Sequence, residues 1–110
     1  MAEIMPHTHI IGTGSSIPKR ILSNKDLEGI VDTSDEWIIR RTGIKERHIS
    51  SNGGRENATD LTTQAAVKAI EMAGISPKSL DMIVVGTVTP DRQFPSTACM
   101  VQEEIGRAHV

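Results

Sequence analysis

The sequence lacks several features that would indicate particular classes of protein. It has one cysteine, one tryptophan, one phenylalanine and no tyrosine, and its formal net charge is −2 at pH 7. A single cysteine excludes an internal disulfide, and interspersed acids and bases give no general field for nucleic acid. No apolar run approaches the ~20 residues that span a bilayer, and the N-terminus lacks the basic and apolar regions of a secretory signal. We therefore expect a cytoplasmic protein with no nucleic-acid or membrane partner.

The sequence also gives little support for a metal site or for a phosphate-binding loop. His7 and His9 would face the same way in an extended segment, but no third ligand is evident, so solvated histidines are favoured and no metal site is predicted. Gly12 and Gly14 lack the third glycine and the immediate helix of a dinucleotide-binding turn. His48 alternates with its neighbours in a predicted strand, which favours a surface or strand-packing role.

The stretch from Asp32 to Arg47 carries the most local structural information. Thr33 or Ser34 can cap the start of a helix, and the two acids that follow place negative charge at the positive end of its dipole. Two arginines fall in the last turn, and Gly43 stands where a helix usually ends. The pattern predicts a short, well-capped helix.

Trp37 and Arg41 stand four residues apart in that helix and so share one face. A planar base can stack on indole, and a guanidinium binds phosphate oxygens through paired donors, so the pair suits a nucleotide-like ligand. The same spacing also fits a half-buried indole covered by the arginine as a cation–π pair, and spacing alone favours this alternative. Both interpretations stay open.

The rest of the chain alternates between strand and helix patterns. Beyond the capped helix, the predicted elements are a strand from His9 to Ser15 whose glycines indicate close approach of other backbone, a short helix from about Asn24 to Ile30, a strand from Glu46 to Ser50, a helix from Thr59 to Ala73, a strand from Met82 to Val88 and a last helix after Phe94. The many alanines of the longest helix imply close packing against a neighbour. The mixture predicts an α/β fold, and an apolar strand with so few helices to cover it indicates part of a larger domain.

Cys99 is the one candidate for a nucleophilic thiol. It sits early in a predicted helix, and no nearby cation would stabilise a thiolate. We therefore predict a small packed core residue at this position rather than a catalytic one.

Several motifs, taken in order, resemble one known family. They are Ile11-Gly12-Thr13-Gly14-Ser15 with Pro18, Asn24-Lys25-Asp26-Leu27, Arg41-Thr42-Gly43-Ile44 with Glu46-Arg47-His48-Ile49, Ala69-Ile70-Glu71-Met72-Ala73-Gly74-Ile75, Ile83-Val84-Val85 and Phe94-Pro95-Ser96. From about Ile10 to Gly106 the chain resembles β-ketoacyl-acyl-carrier-protein synthase III, the condensing enzyme that starts type II fatty-acid synthesis. The resemblance implies the N-terminal part of a thiolase-like, layered αβαβα fold that is incomplete in this chain.

The resemblance also implies a binding site. Trp37 would stack on the adenine of coenzyme A, Arg41 would contact its phosphate-bearing end, and Thr33 would lie at the same site. Phe94 matches a family position at the dimer interface that reaches toward the partner's acyl pocket, and an ordinary hydrophobic lead-in to a helix is an equal alternative. No catalytic residue carries over, because the family's nucleophilic cysteine, histidine and asparagine belong to later motifs.

The implied reaction is the condensation of acyl-coenzyme A with malonyl-acyl-carrier protein. Coenzyme A enters as a thioester substrate, no metal or redox cofactor is needed, and the full-length enzyme is implied to be a homodimer. Without the catalytic set, the 110-residue chain is expected to have no condensing activity.

Two alternatives to this function stay open, and so does the nature of the tail. The parent could be a coenzyme A-dependent condensing enzyme of secondary metabolism, or the chain could be a non-catalytic fragment that only binds a partner.

We treat residues 1–110 as the N-terminal fragment of one condensing-enzyme domain. Residues 104–110 depart from the family pattern and read like a translated sequencing adapter, so we hypothesise that this tail is artefactual.

Overall fold

The computed structural model describes residues 6–51 and 56–107, with no account of the Arg107 side chain. The chain divides into two compact units. One consists of Met1–Ser16 and Ala58–Val110 and is called the helix unit below; the other consists of Ile17–Asn57 and is called the sheet unit. Each is described by itself.

The sheet unit is built on one antiparallel strand pair. Strand β1 spans Arg20–Ser23 and strand β2 spans Glu46–Ile49, with Arg20 opposite Ile49 and Ser23 opposite Glu46. Helix α1, Asn24–Glu28, follows β1 directly. Its start is fixed by a reciprocal capping box, in which the Ser23 hydroxyl accepts from the Asp26 amide and the Asp26 carboxylate accepts from the Ser23 amide.

Helix α2, Asp35–Thr42, is the predicted capped helix. Ser34 is its N-cap, with a hydroxyl that accepts from the Trp37 amide at 3.2 Å. Gly43 ends it in the left-handed conformation at φ 73°, and its amide donates to the Ile39 carbonyl. The predicted boundaries of this helix are confirmed, and Ser34 rather than Thr33 provides the cap.

The helix unit packs α3, Ala58–Ala73, against α4, Thr97–Arg107, with a short 3₁₀ helix at Pro77–Ser79 between them in sequence. Val101 and Ile105 of α4 are buried. Gly12 and Gly14 lie directly on α3: a Cβ atom at Gly14 would stand 2.2 Å from the Ala65 carbonyl oxygen. The predicted close approach of backbone at these glycines is therefore confirmed.

Two predicted strands are absent from the described residues. His9–Ser15 and Met82–Val88 have no strand assignment, and within the described ranges neither makes a backbone hydrogen bond to a partner strand. The prediction was wrong for this chain because an apolar run becomes a strand only when another strand pairs with it. Strand β1 was missed for the converse reason, since its four residues, of which only Ile21 and Leu22 are apolar, are too few for a recognisable pattern and take strand form through pairing with β2.

Candidate functional site

Helix α2 presents an aromatic ring and a guanidinium on one face. The Cζ atom of Arg41 lies 5.3 Å from the centroid of the Trp37 ring, within the distance of a cation–π interaction. Trp37 as a whole residue nevertheless stays 55% exposed, and Arg41 is exposed as well. The pair that spacing favours is therefore formed, and a large part of the ring stays open to a flat ligand.

Both ends of α2 are tied to one buried amide. The Nδ2 group of Asn24 donates to the Asp35 carboxylate at 2.8 Å and to the Ile44 carbonyl at 2.8 Å. Asp35 is the first residue of α2, whereas Ile44 follows the C-cap glycine. Asn24 is only 1% exposed, and its own amide donates to the Lys45 carbonyl. A single side chain therefore fixes the start and the end of the helix that carries Trp37.

The Asn24 carbonyl oxygen is also engaged, by Arg47 of β2. The guanidinium of Arg47 donates to Asn24 Oδ1 at 2.8 Å and to the Leu22 carbonyl at 3.3 Å. The Glu28 carboxylate accepts from the Asp35 amide at 2.8 Å, which satisfies one of the free N–H groups at the start of α2. Strand, helix and loop ends in this unit are joined through polar side chains.

Sequence reasoning missed this set of bonds. From the sequence, Asn24 is only one of two candidates, with Ser23, for the cap of a short helix, and Arg47 reads as a strand cation. A usable signal was the resemblance to the family, since Asn24 and Arg47 each belong to one of its motifs, although a motif does not show which atoms meet.

Thr33 is half-buried and stands one residue before the N-cap Ser34. Trp37 and Arg41 are in contact on α2, whereas Thr33 stands in the lead-in to this helix, and its part in the site stays a prediction.

Phe94 belongs to the helix unit and is 90% exposed. Its assignment to an acyl pocket or dimer interface stays a prediction.

Cys99 is exposed, so the predicted packed position was wrong. Its thiol accepts a hydrogen bond from the Ser96 hydroxyl at 3.2 Å. The buried face of α4 is set by Val101 and Ile105, one turn apart, and Cys99 stands about 200° around the helix from Val101. The thiol instead borders a cavity of about 470 Å³ that Met82 and Gln102 also line.

The histidines behave as side chains of the surface and strand. His48 lies on β2 with Nδ1 2.7 Å from the Pro18 carbonyl oxygen, to which its ring N–H can donate. His7 and His9 are exposed.

Across residues 6–51 and 56–107, no group of three or more His, Cys, Asp or Glu side chains is arranged to hold a metal ion. Over the same ranges no helix is long and apolar enough to cross a membrane.

The C-terminal tail is described only in part. Residues 104–107 continue α4, with Ile105 buried, and residues 108–110 lie outside the described residues. The hypothesis that the tail from 104 is artefactual stays a prediction.

Known proteins similar to this chain are synthases. The β-ketoacyl-acyl-carrier-protein synthase III of Clostridium acetobutylicum is 55% identical over 102 residues, which are 93% of this chain and 30% of that protein. The synthase III of Aquifex aeolicus is 55% identical over 98 residues, 89% of this chain and 31% of that protein. No family model matches the sequence. The chain thus spans about 30% of the length of these curated relatives.

Solved structures give the same result for the fold. The crystal structure of 3-oxoacyl-acyl-carrier-protein synthase III from Aquifex aeolicus matches with a TM-score of 0.84 and 53% identity, over 92% of this chain and 32% of that one. The priming β-ketosynthase of the R1128 polyketide biosynthetic pathway matches with a TM-score of 0.83 and 34% identity, over 88% of this chain and 28% of that one. In sequence and in fold, the chain matches the N-terminal portion of the β-ketoacyl-acyl-carrier-protein synthase III family of thiolase-like, acyl-condensing synthases.

Proposed function

We propose that the chain carries part of the coenzyme A site of a synthase III-type condensing enzyme that initiates type II fatty-acid synthesis. The observation that carries this proposal is the half-exposed Trp37 ring with the Arg41 guanidinium 5.3 Å from its centroid. The open part of the indole would stack on adenine, and Arg41 would contact the phosphate-bearing end of the ligand. Thr33, which precedes the N-cap Ser34, would add a hydroxyl to the same site.

The reaction proposed for the whole enzyme is a covalent acyl transfer followed by condensation. A cysteine thiolate attacks the thioester carbonyl of acyl-coenzyme A, and the coenzyme A thiolate leaves. Malonyl-acyl-carrier protein then loses carbon dioxide, and its carbanion attacks the enzyme-bound thioester and releases the cysteine. Histidine and asparagine donors stabilise the developing charge. The enzyme would act in the cytoplasm as a homodimer, with no metal or redox cofactor.

The ligand-binding part of the proposal can be tested on the chain itself. Trp37 is its only tryptophan, so intrinsic fluorescence reports on this ring alone. Titration with coenzyme A is expected to quench the emission saturably, and Arg41→Ala is expected to weaken binding about tenfold. Arg40→Ala is the matched control, because Arg40 is an exposed arginine of the same helix that makes no ring contact with Trp37 among the contacts described.

Two results would count against this assignment. Absence of saturable quenching by coenzyme A in the folded wild-type chain would remove the proposed site. Equal losses in the Arg40 and Arg41 variants would reduce Arg41 to a general contribution of charge. Titration with 3′-dephospho-coenzyme A then shows which phosphate is recognised, because only a contact to the 3′-phosphate makes the Arg41 effect disappear with this analogue.

The chain alone is proposed to have no condensing activity. Cys99, its single cysteine, is not the family's nucleophile by resemblance, and it lies beside a hydroxyl rather than a base that would activate it. The purified chain is expected to take up no radiolabel from labelled acetyl-coenzyme A. Stoichiometric labelling at Cys99 would overturn this part of the proposal.

A second candidate function is favoured by one observation, the match to a priming β-ketosynthase of a polyketide pathway at a TM-score of 0.83. The parent would then be a coenzyme A-dependent condensing enzyme of secondary metabolism. Resequencing the source locus across and beyond codon 103 tests both candidates and the tail. A frame that continues into a cysteine-bearing elbow and later histidine and asparagine motifs supports a condensing enzyme, and its acyl-pocket residues separate the two candidates. A stop codon after codon 110 supports the non-catalytic fragment.

A further inference from the structure

We propose that Asn24 is a positioning residue for the coenzyme A site, because its one side chain holds both ends of the helix that presents Trp37 and Arg41. This inference rests on the proposed function for its ligand. The geometry behind it stands independently of any ligand.

The side-chain amide of Asn24 has its donors and acceptor in defined places. Both protons of Nδ2 have an acceptor, the Asp35 carboxylate and the Ile44 carbonyl, each at 2.8 Å. Oδ1 accepts from Arg47 at 2.8 Å. Exchange of the amide oxygen and nitrogen would set oxygen against two oxygens and nitrogen against a guanidinium, so only one orientation satisfies all three contacts.

The two acceptors of Nδ2 bracket α2. Asp35 is the first residue of the helix and Ile44 is the first residue after its C-cap, so eight residues are held between two bonds to one group. The backbone N–H of Asn24 donates to the Lys45 carbonyl, and its side-chain Oδ1 accepts from Arg47 on β2. The helix is therefore fixed in position relative to the strand pair at both ends.

A ligand that stacks on one ring and bonds one guanidinium depends on this placement. Trp37 lies in the first turn and Arg41 in the last, so a tilt of the helix moves the two groups in different directions. Small displacements of recognition groups cost substantial affinity, because stacking and paired hydrogen bonds both require defined geometry.

Asn24→Asp is the sharpest single test, since it keeps the shape and replaces the donor with an oxygen that faces the Asp35 carboxylate and the Ile44 carbonyl. We expect coenzyme A affinity to fall about tenfold in the folded variant. We also expect the near-ultraviolet circular dichroism of Trp37 and the ring-current shifts of the Arg41 side-chain protons to change without ligand.

A milder pair of variants covers the case in which Asn24→Asp does not fold. Asp35→Asn keeps an oxygen that accepts from Asn24, whereas Asp35→Ala removes it. Asp35→Ala is expected to weaken binding about threefold and to shift the Arg41 protons, and Asp35→Asn is expected to stay close to wild type in both measurements. Both Asp35 variants are neutral, so neither places a new charge in the interior, and the position itself is only half-buried.

Ser23→Ala is the control for a merely structural effect. It removes the cap of α1 in the same unit and destabilises the unit while leaving the bonds to α2 in place. Wild-type affinity and wild-type Arg41 shifts in the folded Asp35→Ala and Asn24→Asp chains would overturn the inference. Failure of the wild-type chain to bind coenzyme A would overturn the proposed function instead, and the ligand-free Trp37 and Arg41 signals would still decide the positioning role.

Discussion

The two units of this chain differ in how they bond their buried polar side chains and in how far they cover their apolar ones. In the sheet unit, the buried polar residue Asn24 is fully bonded, and its side-chain partners lie 11 to 23 residues away in sequence. In the helix unit, Ile10, Met82 and Val88 are 85%, 80% and 97% exposed, respectively. The sheet unit thus bonds the buried Asn24 side chain from within itself, and its most exposed large apolar side chain, Ile30, is 66% exposed, whereas the helix unit leaves Val88 almost wholly exposed.

The two units are stabilised by different kinds of contact. The sheet unit is held by caps and side-chain hydrogen bonds, which act at single atoms and depend on correct donors and acceptors. The helix unit has one such side-chain cap, from Asp91 to the start of α3, but it is held mainly by backbone packed on backbone, as at Gly14 and Ala65, and by the buried face of α4. Substitutions that overfill a contact between backbone segments should therefore lower the stability of the helix unit most. Substitutions that remove a required backbone conformation or a hydrogen-bond donor should lower the stability of the sheet unit.

The largest effect is expected for Gly14→Ala. Its Cβ would stand 2.2 Å from the Ala65 carbonyl oxygen and 2.7 Å from the Ala69 amide nitrogen, and neither backbone atom can move without displacing α3. We expect a loss of about 3 kcal/mol in the stability of the helix unit, of the order found for overpacked cores. Hydrogen exchange of the α3 amides measures it directly.

Gly86→Ala is the matched control, because nothing lies within 4 Å of a Cβ at that glycine of the same unit. It should leave the exchange of α3 unchanged. Wild-type protection of α3 in the Gly14 variant would show that the N-terminal segment does not pack on this helix in solution.

A smaller effect is expected at the start of α3, where Asp91 supplies a cap from a distant loop. Its carboxylate accepts from the Ala58 amide at 2.9 Å and from the Thr59 amide at 2.8 Å. The hydrogen bond from the Thr59 side chain is the main cause that lowers the pKa of Asp91 below its usual value, and the backbone bonds add to it. Asp91→Asn is expected to cost about 1.5 kcal/mol at neutral pH, as for an exposed charge-assisted bond.

The pH dependence of Asp91 has a defined sign. A carboxyl whose folded pKa is lowered stabilises the fold fully above its unfolded pKa, and this contribution is lost as the pH falls through the folded value. The difference in unfolding free energy between wild type and Asp91→Asn should therefore shrink from neutral pH to about pH 3. A difference that stays constant over this range would contradict the assigned bonds.

Local signals made part of this structure predictable. The cap, the acids and the C-terminal glycine of α2 all lie within about ten residues, and they fixed its bounds correctly. Gly12 and Gly14, together with the alanines of α3, correctly indicated close approach of backbone. In the site, the positions of Thr33, Trp37 and Arg41 on one helix and its lead-in followed from the same local pattern.

The rest depended on partners that a local pattern does not contain. Met82–Val88 has the composition of a buried strand, but no strand of the described residues pairs with it. The bonds of Asn24 join segments separated by up to 23 residues, and nothing in its neighbours indicates that it is buried. Cys99 is apolar enough for a core, yet its place on α4 is set by which face Val101 and Ile105 bury.

The smallest stability effect is expected at Gly43, where the sheet unit depends on backbone geometry alone. The residue has φ 73°, and no atom lies within 4 Å of a Cβ placed on it. Gly43→Ala should therefore lower the free energy of unfolding by about 1 kcal/mol, the cost of placing a side chain in the left-handed conformation. Gly43→Asn should recover part of that loss, because asparagine tolerates this region better.

Gly29→Ala is the control, because Gly29 ends α1 at φ −79°, which any residue adopts. Urea unfolding followed by Trp37 emission reports the change within the sheet unit. If Gly29→Ala and Gly43→Ala cost the same, the sheet unit does not depend on its left-handed cap, and its stability must come from the bonds of Asn24 and Arg47 instead.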